Sequence, residues 1–110
     1  MPGHPPEKRV LYADRRPYVV ADSLDELTGP TSGVVELPLE LDWSEQHRYN
    51  LDDPAELGLM YEVVLREAMR ASQLRAYLDG ATLARVWKRI FLPAQVRSLW
   101  ESRFSQLGVA

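Results

Sequence analysis

Polar and apolar residues alternate strictly between residues 35 and 43. The apolar positions on one side of this segment are Val35, Leu37, Leu39, Leu41 and Trp43. The opposite side carries Pro38 and an acidic row formed by Glu36, Glu40 and Asp42. A period of two predicts an extended, half-buried strand. Because proline cannot donate a hydrogen bond to a sheet, the strand should lie at a sheet edge or break at Pro38.

A helical period replaces the alternation after Asp53. The sequence Asp53-Pro-Ala-Glu56 combines an N-cap acceptor, proline at the first helical position and glutamate at the capping-box position, which predicts a helix start. The apolar stripe then runs to about Arg70 and contains Leu57, Met60, Tyr61, Val64, Leu65 and Ala68. It is widened by Leu59, Val63 and Met69. So wide a stripe predicts that the helix is covered on more than one side, by the sheet or by a partner.

Three further helices are predicted in the C-terminal part. The first spans residues 73–78 and ends at Gly80, a residue type that favours the position after a helix. The second covers residues 82–91, where Pro93 stops it, and the third covers residues 94–106. A shift of 13 residues superposes their apolar stripes, so that Leu83, Val86, Trp87 and Phe91 correspond to Val96, Leu99, Trp100 and Phe104. Both stripes are interpreted as core faces, and only Arg103, which corresponds to Ile90, breaks the match.

The N-terminal part is rich in residues that favour turns. Residues 1–9 contain three prolines, a glycine and charged side chains, and we predict a disordered tail there. Short strands are predicted at residues 9–13 and 18–21. A loop follows, in which Gly29 and Gly33 are able to take positive φ.

Together these elements predict an α+β fold. A short N-terminal β segment with edge strands is followed by about four helices. Residues 10–110 are expected to form a single domain, with a β and loop part at residues 10–44 and a helical part at residues 53–107. A chain of 110 residues is long enough to bury one hydrophobic core without disulfides or metals.

Composition and charge indicate the cellular compartment of the protein more clearly than they indicate its function. Cysteine is absent, which suits a reducing compartment. The N-terminus lacks the apolar run of a signal peptide, and no run approaches the ~20 apolar residues that span a bilayer. We therefore expect a soluble, cytoplasmic protein without a membrane partner. The net charge of −3 is uneven, because residues 1–55 carry −6 and residues 56–110 carry +3; such a split hints at a charged partner.

No arrangement of residues predicts catalysis. His4 and His47 lack metal-ligand spacing, and no serine lies in a GxSxG turn. The loop GPTSG lacks the lysine and the following helix of a phosphate-binding loop, while Asp52 and Asp53 are explained by helix capping. We therefore expect a protein that is not an enzyme and that uses neither a cofactor nor a metal.

Residues 82–104 permit a second interpretation, a helix-turn-helix that binds DNA. Its candidate phosphate contacts are Arg85, Lys88, Arg89 and Arg97. Three observations weigh against it: the turn Phe-Leu-Pro contains no glycine, Glu101 would repel phosphate, and the protein as a whole is acidic, whereas DNA-binding domains carry a basic excess. A transcriptional regulator that binds its own promoter DNA stays the alternative to a protein-binding module.

Three stretches of the chain resemble a known family. They are LTGPTSGVVELP (27–38), LDWSEQHRYNLDDP (41–54) and AYLDGATLARVW…LPAQVRSLWESRF (76–104). These stretches are similar to the MenA-type antitoxins of actinobacteria, which are encoded beside nucleotidyltransferase-like toxins. The resemblance covers most of the chain after about Arg9 and includes no catalytic signature. It implies a non-enzymatic, antitoxin-like domain that binds and neutralises a toxin, which itself attaches nucleotides to the acceptor end of transfer RNA.

The resemblance supplies no site motif, so the predicted contact residues come from periodicity and charge. They lie on the two C-terminal helices, with a tryptophan as a candidate anchor, and are Arg85, Lys88, Arg89, Arg97, Trp100 and Arg103. Such cations would suit the acidic, metal-binding pocket of a nucleotidyltransferase toxin and would occlude its active site in a hetero-oligomer. The competing hypothesis is that the acidic row mimics RNA phosphates and fills a basic groove of the toxin.

Overall fold

The computed structural model describes residues 18–108, so the tail predicted at 1–9 and the strand predicted at 9–13 lie outside the described residues. The architecture is α+β, as predicted, with a short sheet followed by helices. In chain order the elements are a 3-10 helix (Leu24–Glu26), strands β1 (Val34–Glu36) and β2 (Arg48–Asn50), and helices α1 (Pro54–Glu67), α2 (Ala71–Tyr77), α3 (Gly80–Val86), α4 (Ala94–Arg103) and α5 (Ser105–Gly108). Between residues 18 and 108, no helix is both long and apolar enough to cross a bilayer.

The strand predicted at residues 35–43 breaks at Pro38, as its proline indicated. Strand β1 ends before Pro38 and pairs antiparallel with β2. The Pro38 carbonyl then accepts hydrogen bonds from the amides of Leu41 and Asp42 at 2.9 and 3.0 Å, which turns the chain. Leu39 and Trp43 are exposed and Asp42 is buried, opposite to the prediction. The physical reason is that a turn rotates side chains that a straight strand would keep on one side.

Two further differences concern strands. The strand predicted at residues 18–21 makes no sheet pairing among the described residues, although Ala21 is buried in the core. Strand β2 is absent from the sequence prediction, because it has three residues and only Tyr49 among them is buried. Three residues are too few to show a period of two. Gly33, just before β1, does take the positive φ expected of it, at 80°.

Helix α1 begins as predicted and ends before the predicted limit at Arg70. The Asp53 carboxylate caps it by accepting a hydrogen bond from Ala55 N at 2.9 Å. At the other end, the Gln73 side chain accepts hydrogen bonds from the amides of Met69 and Arg70 at 2.7 and 3.2 Å. These amides would otherwise continue the helix. The Gln73 side chain therefore ends α1 and leads the chain into α2.

Two glycines allow distant parts of the backbone to approach closely. Gly29 N donates a hydrogen bond to the Leu78 carbonyl, and Gly80 N donates one to the Leu27 carbonyl, both at 2.8 Å. A Cβ atom on Gly80 would lie 2.2 Å from the Leu24 carbonyl oxygen. Gly80 therefore begins α3 and does not follow the preceding helix as predicted. Close approach of the backbone, and not positive φ, explains both glycines.

Helix α3 ends at Val86 and not at the predicted Phe91. The residues that follow form turns, and Arg97 of α4 donates hydrogen bonds to the carbonyls of Trp87 and Ile90 at 3.2 and 2.6 Å. These bonds satisfy two backbone carbonyls of the turn that follows α3. Ile90 is buried, whereas Phe91 is 84% exposed. The prediction that Phe91 belongs to the core is therefore wrong.

The core centres on two tryptophans. The rings of Trp87 and Trp100 are tilted by 42° with their centroids 6.3 Å apart, and Phe104 lies 5.7 Å from Trp100. This arrangement confirms that Trp87 belongs to the core. The helix predicted at residues 94–106 is divided at Phe104, which takes an extended conformation between α4 and α5. Leu99, predicted to lie on the core face of this helix, is 39% exposed, so that prediction is wrong.

Candidate partner-binding surface

Trp100, predicted as an anchor for a partner, is not accessible. Its side chain is 0% exposed and packs against Trp87 and Phe104. A side chain buried in this way cannot contact a partner unless the core opens, so the prediction is wrong. Its place on the buried stripe of α4, beside Val96, is the physical reason.

Arg97 stabilises the fold from within. Besides its two hydrogen bonds to the turn after α3, its guanidinium lies 5.0 Å from the centroid of the Trp87 ring. It also pairs with Glu101 at 3.8 Å, and Glu101 accepts a hydrogen bond from Trp87 Nε1 at 2.9 Å. The guanidinium of Arg97 is therefore occupied by intramolecular partners. Its contribution is to hold the turn that carries the residues after α3.

Arg103 also has partners in its own chain. Its guanidinium donates to the Ala21 carbonyl and to the Asp22 carboxylate, both at 3.5 Å. A half-exposed ion pair of this kind contributes little to stability. It shows, however, that the Arg103 side chain extends towards the N-terminal segment. Arg103 ends the core stripe of α4 and connects this helix to the N-terminal segment.

The three remaining predicted cations are available to a partner. Arg85, Lys88 and Arg89, here called the cationic corner, are exposed, and none forms an ion pair with another residue between 18 and 108. By contrast, a carboxylate neutralises each of a second group of arginines, which consists of Arg66, Arg70, Arg75, Arg97 and Arg103. Unpaired charges of one sign, close together in sequence, favour an anionic partner.

Phe91 adds a large apolar side chain beside the cationic corner. Its amide donates a hydrogen bond to the Glu62 carboxylate of α1 at 2.9 Å, which fixes the backbone there. An open groove of about 390 Å³ lies between α1 and this turn, and its lining includes Leu59, Arg89 and Ile90. Leu59 is 46% exposed. An exposed aromatic with an arginine is a combination enriched among the residues that dominate protein interfaces.

Sequence reasoning missed the accessibility of Phe91, although a signal was present. Leu92 precedes Pro93, and a residue before proline is pushed out of helical geometry. Phe91 therefore lies within two residues of the point where the helix has to stop. Leu59 was predicted to need a cover from the sheet or from a partner, and no described part of the chain covers it fully. The wide stripe of α1 thus indicated this surface.

The predicted acidic row does not form a continuous surface. Glu36 pairs with His47 at 2.9 Å, and Glu40 pairs with Arg70 at 3.4 Å. Asp42 is buried. The turn at residues 38–41 separates the carboxylates that a straight strand would have aligned, so the hypothesis of RNA mimicry loses the charged row on which it depends.

Asp42 forms a buried hydrogen-bond network beneath the loop that carries Trp43. Its carboxylate accepts hydrogen bonds from the Tyr49 hydroxyl and from the hydroxyl and amide of Ser44. Burial raises the pKa of Asp42, but these hydrogen bonds together outweigh burial and hold its pKa below the usual value. Burial and the hydrogen bond to Asp42 raise the pKa of Tyr49. Asp42 is therefore charged and Tyr49 neutral at physiological pH.

Replacing Tyr49 by phenylalanine is expected to lower the free energy of unfolding by about 1.5–3 kcal/mol at pH 7, because it removes a hydrogen bond to a charged, buried acceptor. It should also raise the pKa of Asp42. A carboxyl group with a lowered pKa contributes stability above its unfolded-state pKa of about 3.9 and loses it as the pH falls through the folded-state pKa. The variant should therefore begin to unfold at a higher pH during acidification.

Urea titration at pH 7 and circular dichroism during acidification measure the two effects of Tyr49→Phe. Tyr77→Phe, at a half-buried tyrosine outside the Asp42 network, is the matched control and should change the stability by less than about 0.5 kcal/mol. An equal loss in both variants, or an unchanged acid transition in Tyr49→Phe, would contradict the role of this network.

Helices α3 and α4 do not have the geometry of a helix-turn-helix. They are separated by the seven residues 87–93, whereas the turn of that motif has about 3–4 residues. One of the predicted phosphate contacts, Arg97, is turned towards the core, and Glu101 is engaged with Trp87. DNA binding through this segment stays a prediction without support from the geometry.

The described residues contain no group of histidine, cysteine or acidic side chains arranged to hold a metal ion. No protein-family model, curated protein or solved structure matches the chain.

Proposed function

We propose that this chain is an antitoxin, which neutralises a cognate nucleotidyltransferase toxin by binding it directly and covering its active site. The observation that carries the proposal is the cationic corner, three exposed cations without ion-pair partners among the described residues, next to the exposed Phe91. The sequence resemblance to MenA-type antitoxins supplies the identity of the partner. The protein would act in the cytoplasm, where transfer RNA is the substrate of the toxin.

The chemistry of the two partners is complementary in this proposal. A nucleotidyltransferase holds its metal ions with carboxylates, so the rim of its pocket is acidic and attracts Arg85, Lys88 and Arg89. Phe91 would supply the apolar contact that excludes water and strengthens these ion pairs, because charge interactions are stronger where solvent is excluded. Occupation of the pocket mouth would then prevent both the nucleotide and the transfer RNA from entering.

Charge reversal at the cationic corner tests this function. The triple variant Arg85→Glu, Lys88→Glu, Arg89→Glu should bind the toxin at least about 100-fold more weakly and fail to restore growth, since losing a desolvated charge contact costs about 2–5 kcal/mol. The partner tested is the product of the adjacent open reading frame, produced in the same cells. Calorimetry with the purified pair and growth on co-expression provide the two measurements.

The matched control is Arg85→Lys, Lys88→Arg, Arg89→Lys, which keeps all three charges. It should bind within about tenfold of the original chain, although arginine and lysine differ in hydrogen-bond geometry. If the charge-reversed protein folds and still neutralises the toxin, the cationic corner is not the contact surface. If the original chain neither binds the adjacent gene product nor restores growth, the antitoxin function itself is wrong.

A further inference from the structure

The loop at residues 39–44 exposes two large apolar side chains and buries one acidic side chain, whereas Leu41 is buried and Glu40 and Ser44 are exposed, as is usual in a surface loop. Leu39 and Trp43 are 71% and 88% exposed, while Asp42 is buried. Glu40 is held against the body of the protein, where it accepts hydrogen bonds from Arg70 and Gln73 of the segment that follows α1. A surface loop usually shows its polar residues to water and buries its apolar ones. Exposed apolar residues that lie together usually mark an interaction site.

The same polar contacts make this loop well ordered before any partner arrives. Asp42 holds the centre of the loop to Tyr49 of β2 and to Ser44, and Glu40 holds its start to Arg70, between α1 and α2, and to Gln73 of α2. Trp43 follows directly after Asp42, so its backbone is fixed by the buried network. A contact surface that is ordered in advance loses less conformational entropy on binding.

We propose that residues 39–44 form the contact between two copies of this chain, with Trp43 near the two-fold axis. The charges around the loop favour this partner. Arg66 and Glu67 line the same hollow as Trp43 and pair at 3.2 Å, and the Glu40–Arg70 pair lies on another flank. A surface with both signs of charge can meet an identical surface across a two-fold axis with opposite charges facing each other.

The cationic corner does not carry both signs of charge. If two copies met there, the three positive charges of one copy would face the three positive charges of the other. Exposed Glu45, two residues after Trp43, adds one negative charge per copy at the loop. Salt screens repulsion between such exposed charges, because the Debye length at physiological ionic strength is only about 8 Å. The two exposed aromatics therefore belong to surfaces with different partners. Phe91 lies beside the cationic corner, and Trp43 contacts a second copy.

The contact is expected to be weak. A tryptophan side chain offers about 150–250 Å², so Trp43 and Leu39 together supply a few hundred Å² per copy, against roughly 800 Å² per partner in a standard interface. Dimers should therefore be half-formed at about 10–100 μM, as interfaces at the small end of the range are transient.

Sedimentation velocity of the full chain between about 1 and 500 μM tests the dimer. The mass of the original chain should rise from one copy to two, and Trp43→Ser should weaken the association at least about tenfold. Leu39→Ser is a second variant with the same expected direction. Phe91→Ser removes an equally exposed aromatic from the other surface and should leave the association unchanged. Circular dichroism checks that each variant is folded.

Three results would overturn the inference. The original chain staying monomeric at the highest concentration would exclude a functional dimer. A loss of association in Phe91→Ser as large as in Trp43→Ser would indicate a head-to-tail contact between the two surfaces and not a two-fold dimer. A monomeric original chain in which Trp43→Ser abolishes toxin binding would assign the loop to the toxin interface. The first two results are measured on the chain alone and do not depend on the antitoxin function, whereas the third requires the toxin.

Discussion

Gly80→Ala is expected to lower the free energy of unfolding by at least about 3 kcal/mol, a loss beyond that of most single substitutions. The added Cβ would lie 2.2 Å from the Leu24 carbonyl oxygen and 3.0 Å from the Leu24 carbonyl carbon. Both are backbone atoms, so no rotation of a side chain can relieve the overlap. The 3-10 helix must move away, and the hydrogen bond from Gly80 N to the Leu27 carbonyl is lost with it.

Gly58→Ala is the matched control for this prediction. Gly58 lies inside α1, and its added Cβ would meet Ile90 Cγ2 at 3.6 Å, an ordinary contact distance. Since alanine favours a helix interior by about 0.8–1.0 kcal/mol over glycine, Gly58→Ala should stabilise the protein. Urea titrations followed by tryptophan fluorescence measure both variants. The same sign of change in both would show that steric contact with Leu24 is not what Gly80 avoids.

Trp100→Ala should cost about 3–5 kcal/mol, the usual loss for removing a large buried aromatic side chain. The cavity would adjoin Trp87 and Phe104, whose rings contact that of Trp100, and a domain of this size is stable by only about 5–15 kcal/mol. Trp100 Nε1 makes no hydrogen bond to a described residue. Trp100→Phe should therefore cost less, because it leaves a smaller cavity and removes that unpaired donor.

Phe91→Ala is the control for Trp100→Ala. The two residues lie on adjoining segments, and the sequence predicted a core position for Phe91 and a partner contact for Trp100. Phe91 is exposed, so its loss should change the free energy of unfolding by less than about 0.5 kcal/mol. In toxin binding the expected order is reversed: folded Trp100→Phe should bind as the original chain does, and Phe91→Ala should bind more weakly. A Phe91→Ala protein that is strongly destabilised, or a Trp100→Ala protein of unchanged stability, would contradict the assignment of these side chains.

The division of the cations links the fold to the proposed function. Arg97 stabilises the packing of α4 through contacts with carbonyls and a carboxylate, and Arg103 connects α4 to the N-terminal segment. The cationic corner makes no such ion pairs among the described residues. In the sequence, both groups are basic residues of the segments predicted to be helical. Their separation depends on where α3 ends, because the turn after Val86 directs Arg97 inwards and leaves Lys88 and Arg89 outside.

Local backbone chemistry explains the elements that were predicted well. Asp53 and Pro54 start α1 because the cap and the fixed φ of proline act within one helical turn. Pro38 breaks β1 because it has no amide hydrogen to donate. Element ends were predicted less well. The early end of α1 depends on the side chain of Gln73, and that of α3 depends on Arg97, which lies on another helix.

The sequence by itself determined the α+β class, the placement of a short β segment before the helices, the break at Pro38 and the core position of Trp87, because periodicity and backbone chemistry act over a few residues. Only the tertiary structure decided which large side chains meet solvent. Trp43 and Phe91 are exposed and Trp100 is buried, since exposure depends on contacts between segments distant in sequence. Asp42 is buried for the same reason, because Tyr49 of the neighbouring strand supplies its hydrogen-bond donor.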